Sequence, residues 1–164
     1  MRGLTLKTIN IGILAHVDAG KTTLTEQLLF CAGATRQAGD VNAGTAHTDY
    51  LQVERERGIS VRSSAASFFC GEVQVNVIDT PGHADFAAEV ERSLAVLDAA
   101  ILVVSAVEGI QARTELLLEA LAATETAVLI VVNKVDRAGS DAQAVVRELR
   151  EKWGLRPAVL SHIE

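Results

Sequence analysis

The apolar residues of this chain fall into short continuous runs rather than alternating one by one with polar residues. Four such runs occupy residues 9–14, 75–78, 99–104 and 128–132. Continuous runs of this length are typical of strands that are buried on both faces of a parallel sheet. The pattern therefore predicts a sheet that is covered on its two sides.

Between these runs, apolar residues recur at the three- and four-residue spacing of a helix. Four stripes have this spacing and predict helices: Leu24, Leu28 and Ala32; Phe86, Val90, Leu94 and Leu97; Leu117, Leu118 and Leu121; Ala142, Val145, Val146, Leu149 and Trp153. Gly33 and Gly154 follow two of the stripes and predict helix ends. Alternating strands and helices indicate an α/β fold with a mostly parallel sheet and helices on both faces.

Three further stretches complete the predicted order of elements. Residues 34–59 show no period, and a loop of this length inside a compact domain is usually functional or disordered. Residues 61–70 and 73–79 flank Gly71-Glu72, which predicts a hairpin that adds one antiparallel edge strand. Residues 158–160 predict one more strand near the end of the chain.

Residues 15–22, Ala-His-Val-Asp-Ala-Gly-Lys-Thr, lie between the first predicted strand and the first predicted helix. They match the phosphate-loop pattern Gly, four residues, Gly-Lys-Ser/Thr, with Ala15 in place of the first glycine. In such a loop the backbone N–H groups and the helix N-terminus bind phosphates. Lys21 then contacts the β- and γ-phosphates, and the Thr22 hydroxyl is a ligand of Mg²⁺.

Two later segments carry groups that suit the same site. Asp79 ends a buried strand, where its carboxylate can hold Mg²⁺ through a water molecule. Gly82 can place its N–H group against a γ-phosphate, and the Ser60 hydroxyl can complete the magnesium shell when GTP is bound. Residues 34–60 would then be an order–disorder switch. The predicted magnesium ligands are thus Thr22, Ser60 and Asp79.

A second nucleotide motif, Asn133-Lys134-Val135-Asp136, follows the last long apolar run. The Asp136 carboxylate can accept hydrogen bonds from N1–H and the N2 amino group of guanine, a donor pair that adenine lacks. With the wrong base this carboxylate would lose its partners, which carries a large energetic cost. The Lys134 stem can cover the base, and Asn133 can brace the two loops. The motif therefore predicts selectivity for GTP and GDP.

Composition narrows the function further. At 164 residues the chain has the length of one domain, and its net charge of −6 argues against binding nucleic acid through the whole surface. We therefore expect no DNA partner. Cys31 and Cys70 form neither a disulfide framework nor a metal cluster, and we interpret them as buried thiols in a reducing compartment. Because no apolar run approaches the roughly 20 residues that span a bilayer, we expect a cytoplasmic protein without membrane contact. We also expect a monomer.

These motifs resemble the GTP-binding domain of a translational GTPase over nearly the whole chain, from residue 9 to about residue 160. Residues 10–26 are similar to elongation factor G and its relatives, and among them to the tetracycline ribosomal protection proteins. Residues 48–59 and 92–98 also look like the protection proteins. Ser60 instead resembles release factor three. The resemblance implies a P-loop NTPase fold of the G-domain type, and residues 1–164 would be an N-terminal fragment of a longer multidomain protein.

The resemblance also implies roles for individual residues. His83 would align the water that attacks GTP, at a position where Ras-like GTPases carry glutamine, and Lys21 would neutralise charge on the phosphates. Ribosomal RNA would supply the missing activation, with contacts at Arg55, Arg57, Arg62 and His83. The predicted catalytic residues are therefore His83 and Lys21. The predicted nucleotide contacts are Asp18, Ala19, Gly20, Lys21, Thr22, Thr23, Gly82, Asn133, Lys134 and Asp136. His16 is interpreted as local loop structure.

Three alternatives remain open at this point. The chain could be the GTP-binding domain of elongation factor G itself or of release factor three. It could be a GTP-dependent switch that binds a partner other than the ribosome. It could also be a P-loop phosphotransferase that acts on a small molecule, although the guanine-reading motif at residues 133–136 argues against this interpretation.

Overall fold

A computed structural model describes residues 7–35, 64–79 and 94–160 of the chain. The predicted helix stripe that begins at Phe86 and the predicted switch at residues 34–60 fall largely or wholly outside these ranges. The described strands and helices, in chain order, are β1 (Lys7–Ala15), α1 (Lys21–Cys31), β2 (Ser64–Cys70), β3 (Val73–Asp79), β4 (Ala99–Ser105), α2 (Ala112–Ala123), β5 (Ala127–Asn133) and α3 (Ala142–Trp153).

The five strands form one sheet in the order β2-β3-β1-β4-β5. β1 pairs in parallel with both β3 and β4, and β4 pairs in parallel with β5. β2 pairs with β3 in the antiparallel direction across the Gly71-Glu72 turn. The sheet is therefore mostly parallel with one antiparallel edge strand, as the hydrophobic pattern predicts.

Two apolar cores lie on opposite faces of this sheet, because successive side chains of a strand point to opposite sides. On one face, Ile13 and Ala15 pack in a cluster with Leu24 and Leu28 of α1. On the other face, Leu14 joins a cluster that includes four β4, α2 and α3 side chains that are almost fully buried: Leu102, Val104, Leu121 and Leu149. Helices therefore cover both faces, which confirms the predicted architecture.

Glycine ends the first and the last described helix, as predicted. Gly33 adopts a positive φ of 71°, and its N–H donates to the carbonyl oxygen of Phe30 at 2.9 Å. The Ala34 N–H donates to the carbonyl oxygen of Leu29 at 2.9 Å, so that the two bonds together form a Schellman motif. Gly154, at a φ of 61°, ends α3 in the left-handed conformation.

The prediction of a strand at residues 158–160 is wrong for this structure, since residues 154–160 form no regular element. Among the described strands β5 pairs only with β4 and is an edge. Val128 and Leu129 of β5 are consequently 39% and 46% exposed, although the continuous apolar run predicted burial on both faces. A continuous apolar run indicates a strand, but it does not indicate whether that strand pairs with one or with two other strands of the sheet.

The expectation that the two cysteines are buried is also wrong, because Cys31 and Cys70 are both exposed. Cys31 is the last residue of α1 and lies two positions beyond Leu29, the last buried residue of that helix. Cys70 ends the edge strand β2 directly before the hairpin turn. Position at the end of an element therefore overrides the usual tendency of free cysteine to be buried.

Among the helices that the structure describes, none has both the length and the apolar character needed to cross a membrane.

Candidate functional site

The predicted nucleotide motifs lie at the carboxyl ends of the parallel strands. Four strands end at this edge of the sheet, at Ala15, Asp79, Ser105 and Asn133. β1 lies between β3 and β4, and the chain runs from β1 to β2 and β3 on one side of it and then from β3 to β4 on the other side. Ligands of open α/β sheets bind at such a switch point, outside the carboxyl ends of the strands.

The phosphate-loop motif forms a tight turn between β1 and α1. Asp18 and Gly20 both have positive φ angles, of 62° and 94°, and α1 begins at Lys21 directly after them. A non-glycine residue with positive φ is uncommon, although aspartate tolerates this conformation better than most residues. Asp18 and Thr23 are exposed, whereas Ala19 is fully buried. The loop therefore directs its motif residues partly to the surface and partly into the core.

Asn133 connects the phosphate loop to the predicted guanine-reading loop. Its side-chain amide donates from Nδ2 to the carbonyl oxygen of Ala19 at 2.9 Å, across 114 residues of sequence. A Cβ atom placed on Gly20 would lie 2.3 Å from the same Nδ2 atom. Gly20 is thus required both by its backbone conformation and by the space that Asn133 occupies.

Lys21 and Asp79 form a buried ion pair between the phosphate loop and the end of β3. The Lys21 Nζ atom lies 2.5 Å from Asp79 Oδ1, and the two side chains are 8% and 2% exposed. A buried charge is tolerated in a protein only when a partner of opposite charge or hydrogen bonds compensate for lost hydration. This pair therefore places a buried ammonium group beside the loop that is predicted to bind phosphate.

Thr22 and Asp79 fit a magnesium ion by the chemistry of their donors. Thr22 follows Lys21 in the first turn of α1, and Lys21 contacts Asp79, so that the hydroxyl and the carboxylate belong to the two segments that this ion pair joins. The described residues contain no group of three or more His, Cys, Asp or Glu side chains that could hold a metal. Mg²⁺ commonly takes only one or two protein oxygens and completes its shell with water and substrate phosphates, so the donor set suits this ion.

Lys134 is held by a glutamate that the sequence motifs do not single out. Its Nζ atom lies 3.2 Å from Oε1 of Glu108, which belongs to the loop after β4. A hydrogen bond with Ser105 is the main cause that holds the pKa of Glu108 below its usual value, and the hydrogen bond and positive charge of Lys134 lower this pKa further. Lys134 has a φ of 58°, so both its backbone and its side chain are constrained. Because 26 residues separate the two partners, no local pattern indicates this pair.

Asp136 lies two residues further along the same loop, and its side chain is exposed. The Ser140 hydroxyl donates to the carbonyl oxygen of Val135 at 2.8 Å and so holds the loop from its far side. This arrangement leaves the Asp136 carboxylate accessible to a ligand that lies along the carboxyl edge of the sheet.

His16 also gains a distant partner in the tertiary structure. It is 6% exposed, and its Nδ1 atom lies 3.1 Å from the hydroxyl oxygen of Thr114 in α2. Burial is the main cause that lowers the pKa of His16 below its usual value. The sequence motif contains His16, but it does not indicate Thr114, which is 98 residues away.

The structure thus brings most predicted nucleotide contacts to one edge of the sheet. These are Asp18, Ala19, Gly20, Lys21, Thr22, Thr23, Asn133, Lys134 and Asp136, and the predicted magnesium ligand Asp79 lies at the same edge. The predicted residues Ser60, Gly82 and His83 lie outside the described ranges, as do Arg55, Arg57 and Arg62. The described part has backbone N–H groups and an ammonium group at one end and an exposed carboxylate at the other, which suits a ligand with an anionic end and a hydrogen-bonding base.

Comparison with known proteins agrees with this geometry. The profile of the family described as elongation factor Tu GTP binding domain matches residues 6–158. The tetracycline resistance protein TetW of Butyrivibrio fibrisolvens is 54% identical over 147 residues, which cover 90% of this chain and 23% of TetW. The oxytetracycline resistance protein of Streptomyces rimosus is 51% identical over 156 residues, which cover 95% of this chain and 23% of that protein.

A solved structure supports the same fold. A protein of Thermus thermophilus superimposes with a TM-score of 0.83 at 34% identity, over 93% of this chain and 23% of the solved one. The chain therefore spans about a quarter of the length of the relatives it matches.

Proposed function

This chain belongs to the family of elongation factor Tu GTP-binding domains, and from this premise we propose that it is the GTP-hydrolysing domain of a ribosome-associated translational GTPase, of the kind that protects ribosomes from tetracycline. The observation that carries the proposal is the hydrogen bond from Asn133 to Ala19, which joins the loop proposed to read guanine to the loop proposed to bind phosphates. Guanine nucleotide binding follows from membership of the family, whereas the role on the ribosome is a more specific proposal that goes beyond the family.

Two findings support the ribosomal protection type. Both named bacterial relatives are tetracycline or oxytetracycline resistance proteins, and each is at least 51% identical to this chain over most of its length. The motif residues that resemble protection proteins are distributed along the chain, at residues 10–26, 48–59 and 92–98. Since the matched region is 23% of each relative, the remaining part of such a protein would supply most of its affinity for the ribosome.

The proposed reaction is GTP + water → GDP + phosphate, and the chain contributes to it mainly by positioning charge. The N–H groups of the loop around Gly20 bind the phosphates, and the Lys21 ammonium group moves from Asp79 toward the β- and γ-phosphates when the nucleotide enters. Mg²⁺, which Thr22, Asp79 and Ser60 would hold, supplies positive charge at the phosphate oxygens. Preorganised charges of this kind account for much of the catalysis of phosphoryl transfer.

His83 is proposed to align the attacking water molecule, and Gly82 to contact the γ-phosphate. At the other end of the site, Asp136 accepts the two guanine hydrogen bonds while the stem of Lys134 covers the base. A carboxylate that loses both hydrogen bonds with adenine disfavours that base strongly. The roles of the two ends are separable, because one acts on turnover and the other on the choice of nucleotide.

The proposed partner is the ribosome, reached through Arg55, Arg57, Arg62 and His83. Since the net charge is −6, the contact would be local, because a general attraction to RNA requires a basic surface. We also propose a cytoplasmic monomer that binds neither DNA nor membrane, in keeping with this charge.

Calorimetry of the chain with GDP and with ADP tests the nucleotide site. We expect saturable binding of GDP, and ADP binding weaker by at least about 100-fold, because adenine offers the Asp136 carboxylate neither of the two hydrogen bonds that guanine donates. Phosphate release by the intact protein, measured with and without ribosomes, then tests the ribosomal role. Equal affinity for the two purines would overturn the GTP assignment, and an unstimulated rate would favour a switch that binds a non-ribosomal partner.

One sequence feature favours a second candidate within the same class. Ser60 stands where elongation factor G and the protection proteins have threonine, and it resembles release factor three. Ribosome-stimulated hydrolysis with no relief of tetracycline inhibition in translation would favour release factor three or elongation factor G over the protection type.

A further inference from the structure

His16 lies in the phosphate loop, but its ring points away from the surface. The side chain is 6% exposed, and its Nδ1 atom lies 3.1 Å from Oγ1 of Thr114, a residue with no exposed surface. Thr114 is in the first turn of α2. The contact therefore joins the loop at the end of β1 to the beginning of a helix on one face of the sheet.

The hydrogen-bond partners of Thr114 determine the state of the imidazole. Thr114 Oγ1 accepts a hydrogen bond from the Gln111 backbone N–H at 3.3 Å. A hydroxyl has one hydrogen to donate, and within the described part of the chain His16 Nδ1 is its other partner. The second lone pair of the hydroxyl could accept from a protonated Nδ1, but only donation to Nδ1 gives the hydroxyl hydrogen a partner among the described residues. We therefore assign Nδ1 as the unprotonated acceptor. The ring is then neutral and carries its hydrogen on Nε2.

The surroundings of His16 favour this neutral state. Burial is the largest influence on the pKa of His16 and lowers this pKa. Of the nearby charges, Glu108 and Asp18 raise the pKa and Lys134 lowers it, and the net result lies below the usual value. The Nε2 atom is buried and has no hydrogen-bond partner among the described residues. A second proton on the ring would place a positive charge in this buried position, and it would reverse the Thr114 contact and leave the hydroxyl hydrogen without a partner among the described residues.

Thr114 is itself fixed to the guanine side of the site. The side chain of Gln111 accepts from the Thr114 backbone N–H, and its Nε2 atom donates to the carbonyl oxygen of Glu108 at 2.6 Å. Glu108 in turn pairs with Lys134 at 3.2 Å. A continuous series of contacts thus connects His16 in the phosphate loop with Lys134 in the guanine-reading loop.

We propose that His16 is a positioning residue for nucleotide binding. It acts through Thr114, whose hydroxyl holds the phosphate loop in the conformation that directs its N–H groups at the phosphates. The proposal rests on the proposed function, because it assumes that this loop binds the phosphates of GDP. It goes beyond that function by assigning the role to the neutral ring, so that acid should weaken nucleotide binding.

Two isosteric variants of His16 test the hydrogen bond. In His16→Asn the side-chain amide reaches the position of Nδ1 and can accept from Thr114, whereas in His16→Gln it reaches the position of Nε2 and cannot. We expect His16→Asn to bind GDP within about threefold of the unchanged chain, and His16→Gln to lose about tenfold, the effect of one net hydrogen bond. Thr114→Ser should behave like the first variant and Thr114→Val like the second.

The dependence of GDP affinity on pH separates positioning from mere structural support. From about pH 8 to about pH 5 the unchanged chain should lose affinity as the ring takes up a proton, and His16→Asn should lose less. Circular dichroism at each pH confirms that the variants remain folded. Equal GDP affinities of His16→Asn and His16→Gln, or of Thr114→Ser and Thr114→Val, would overturn the proposal, as would identical pH profiles of the unchanged chain and His16→Asn.

The outcome is distinguishable from a failure of the proposed function. If the unchanged chain binds GDP selectively and the four variants bind it equally well, only the role of His16 is overturned. If the unchanged chain does not prefer GDP to ADP, the GTP-binding assignment itself is overturned.

Discussion

The side-chain amide of Asn133 occupies the space where a side chain on Gly20 would lie. The Nδ2 atom would be 2.3 Å from a Cβ at that position, and it donates to the neighbouring carbonyl oxygen of Ala19 at 2.9 Å. A methyl group at residue 20 would therefore push apart the two loops that are proposed to hold opposite ends of one nucleotide. Two features therefore favour glycine at residue 20: the positive φ angle of its backbone and the lack of space for a side chain beside Asn133.

Gly20→Ala should reduce GDP affinity by more than about tenfold, because misplacing the two loops removes hydrogen bonds at both ends of the ligand. Gly139→Ala is the matched control. Gly139 also has a positive φ, of 82°, but no heavy atom lies within 4 Å of its Cβ position. Thermal unfolding should show a destabilisation of about 1–2 kcal/mol from backbone strain in both variants. Calorimetry should show a loss of GDP affinity in Gly20→Ala alone. Similar affinities would contradict the proposed steric role of Asn133.

Lys21→Met should lower the free energy of unfolding by about 3–5 kcal/mol, the usual cost of removing one member of a buried ion pair. It leaves the Asp79 carboxylate, which is 1% exposed, without its ammonium neighbour. Lys152→Met is the control, because Lys152 pairs with Glu148 on an exposed helix surface. Urea denaturation of both variants measures the difference. An equally small change in both would argue against an important buried pair.

Asp136→Asn should shift the preference of the chain from guanine toward xanthine nucleotides. The amide offers a donor that matches the O2 carbonyl of xanthine, and it no longer accepts from the guanine amino group. Asp141→Asn provides the control, since Asp141 is an exposed carboxylate that caps α3 by accepting from the Ala144 N–H at 2.8 Å. Competition by GDP and XDP for a fluorescent nucleotide measures the shift. Unaltered selectivity of the Asp136 variant would remove that residue from base recognition.

Glu108→Gln should weaken GDP binding by about two- to fivefold, because it frees Lys134 from its partner, and partly exposed pairs of this kind contribute at most about 1 kcal/mol. The two side chains, of Lys134 and Glu108, are 25% and 41% accessible. A double-mutant cycle with Lys134→Met isolates the coupling, which should decrease at high salt. Strictly additive losses would mean that Glu108 does not position Lys134.

His83→Ala should abolish ribosome-stimulated phosphate release and leave GDP affinity unchanged. The expected reason is that the imidazole aligns the attacking water but does not hold the nucleotide. Single-turnover measurements of the intact protein with ribosomes give the rate, and calorimetry gives the affinity. A stimulated rate equal to that of the unchanged protein would exclude His83 from the mechanism.

The order of strands and helices follows closely from local sequence. The apolar run at residues 9–14 became β1 (Lys7–Ala15), and the stripe from Ala142 to Trp153 became α3 with the same bounds. The hairpin at Gly71-Glu72 also formed as predicted. These features depend on side-chain period and on turn residues, and both are properties of neighbouring positions in the chain.

The motif residues of the nucleotide site could likewise be named in advance, because each motif is contiguous. Their mutual arrangement could not. The bond from Asn133 to Ala19 spans 114 residues and that from His16 to Thr114 spans 98. Glu108, which pairs with Lys134, and Thr114 carry no local motif at all. Only the pairing of β1, β4 and β5 brings them to one edge of the sheet.

By itself the sequence determined the element types, the α/β class and the nucleotide motifs, since period and local residue chemistry are sufficient for these. The tertiary structure alone decided which apolar positions are covered and which polar groups meet. Val128 and the thiol of Cys70 are exposed because each lies where the described sheet ends, whereas Lys21 and Asp79 are buried together because two strands end side by side. Burial and pairing depend on neighbours that are distant in the chain, and a local pattern carries no information about them.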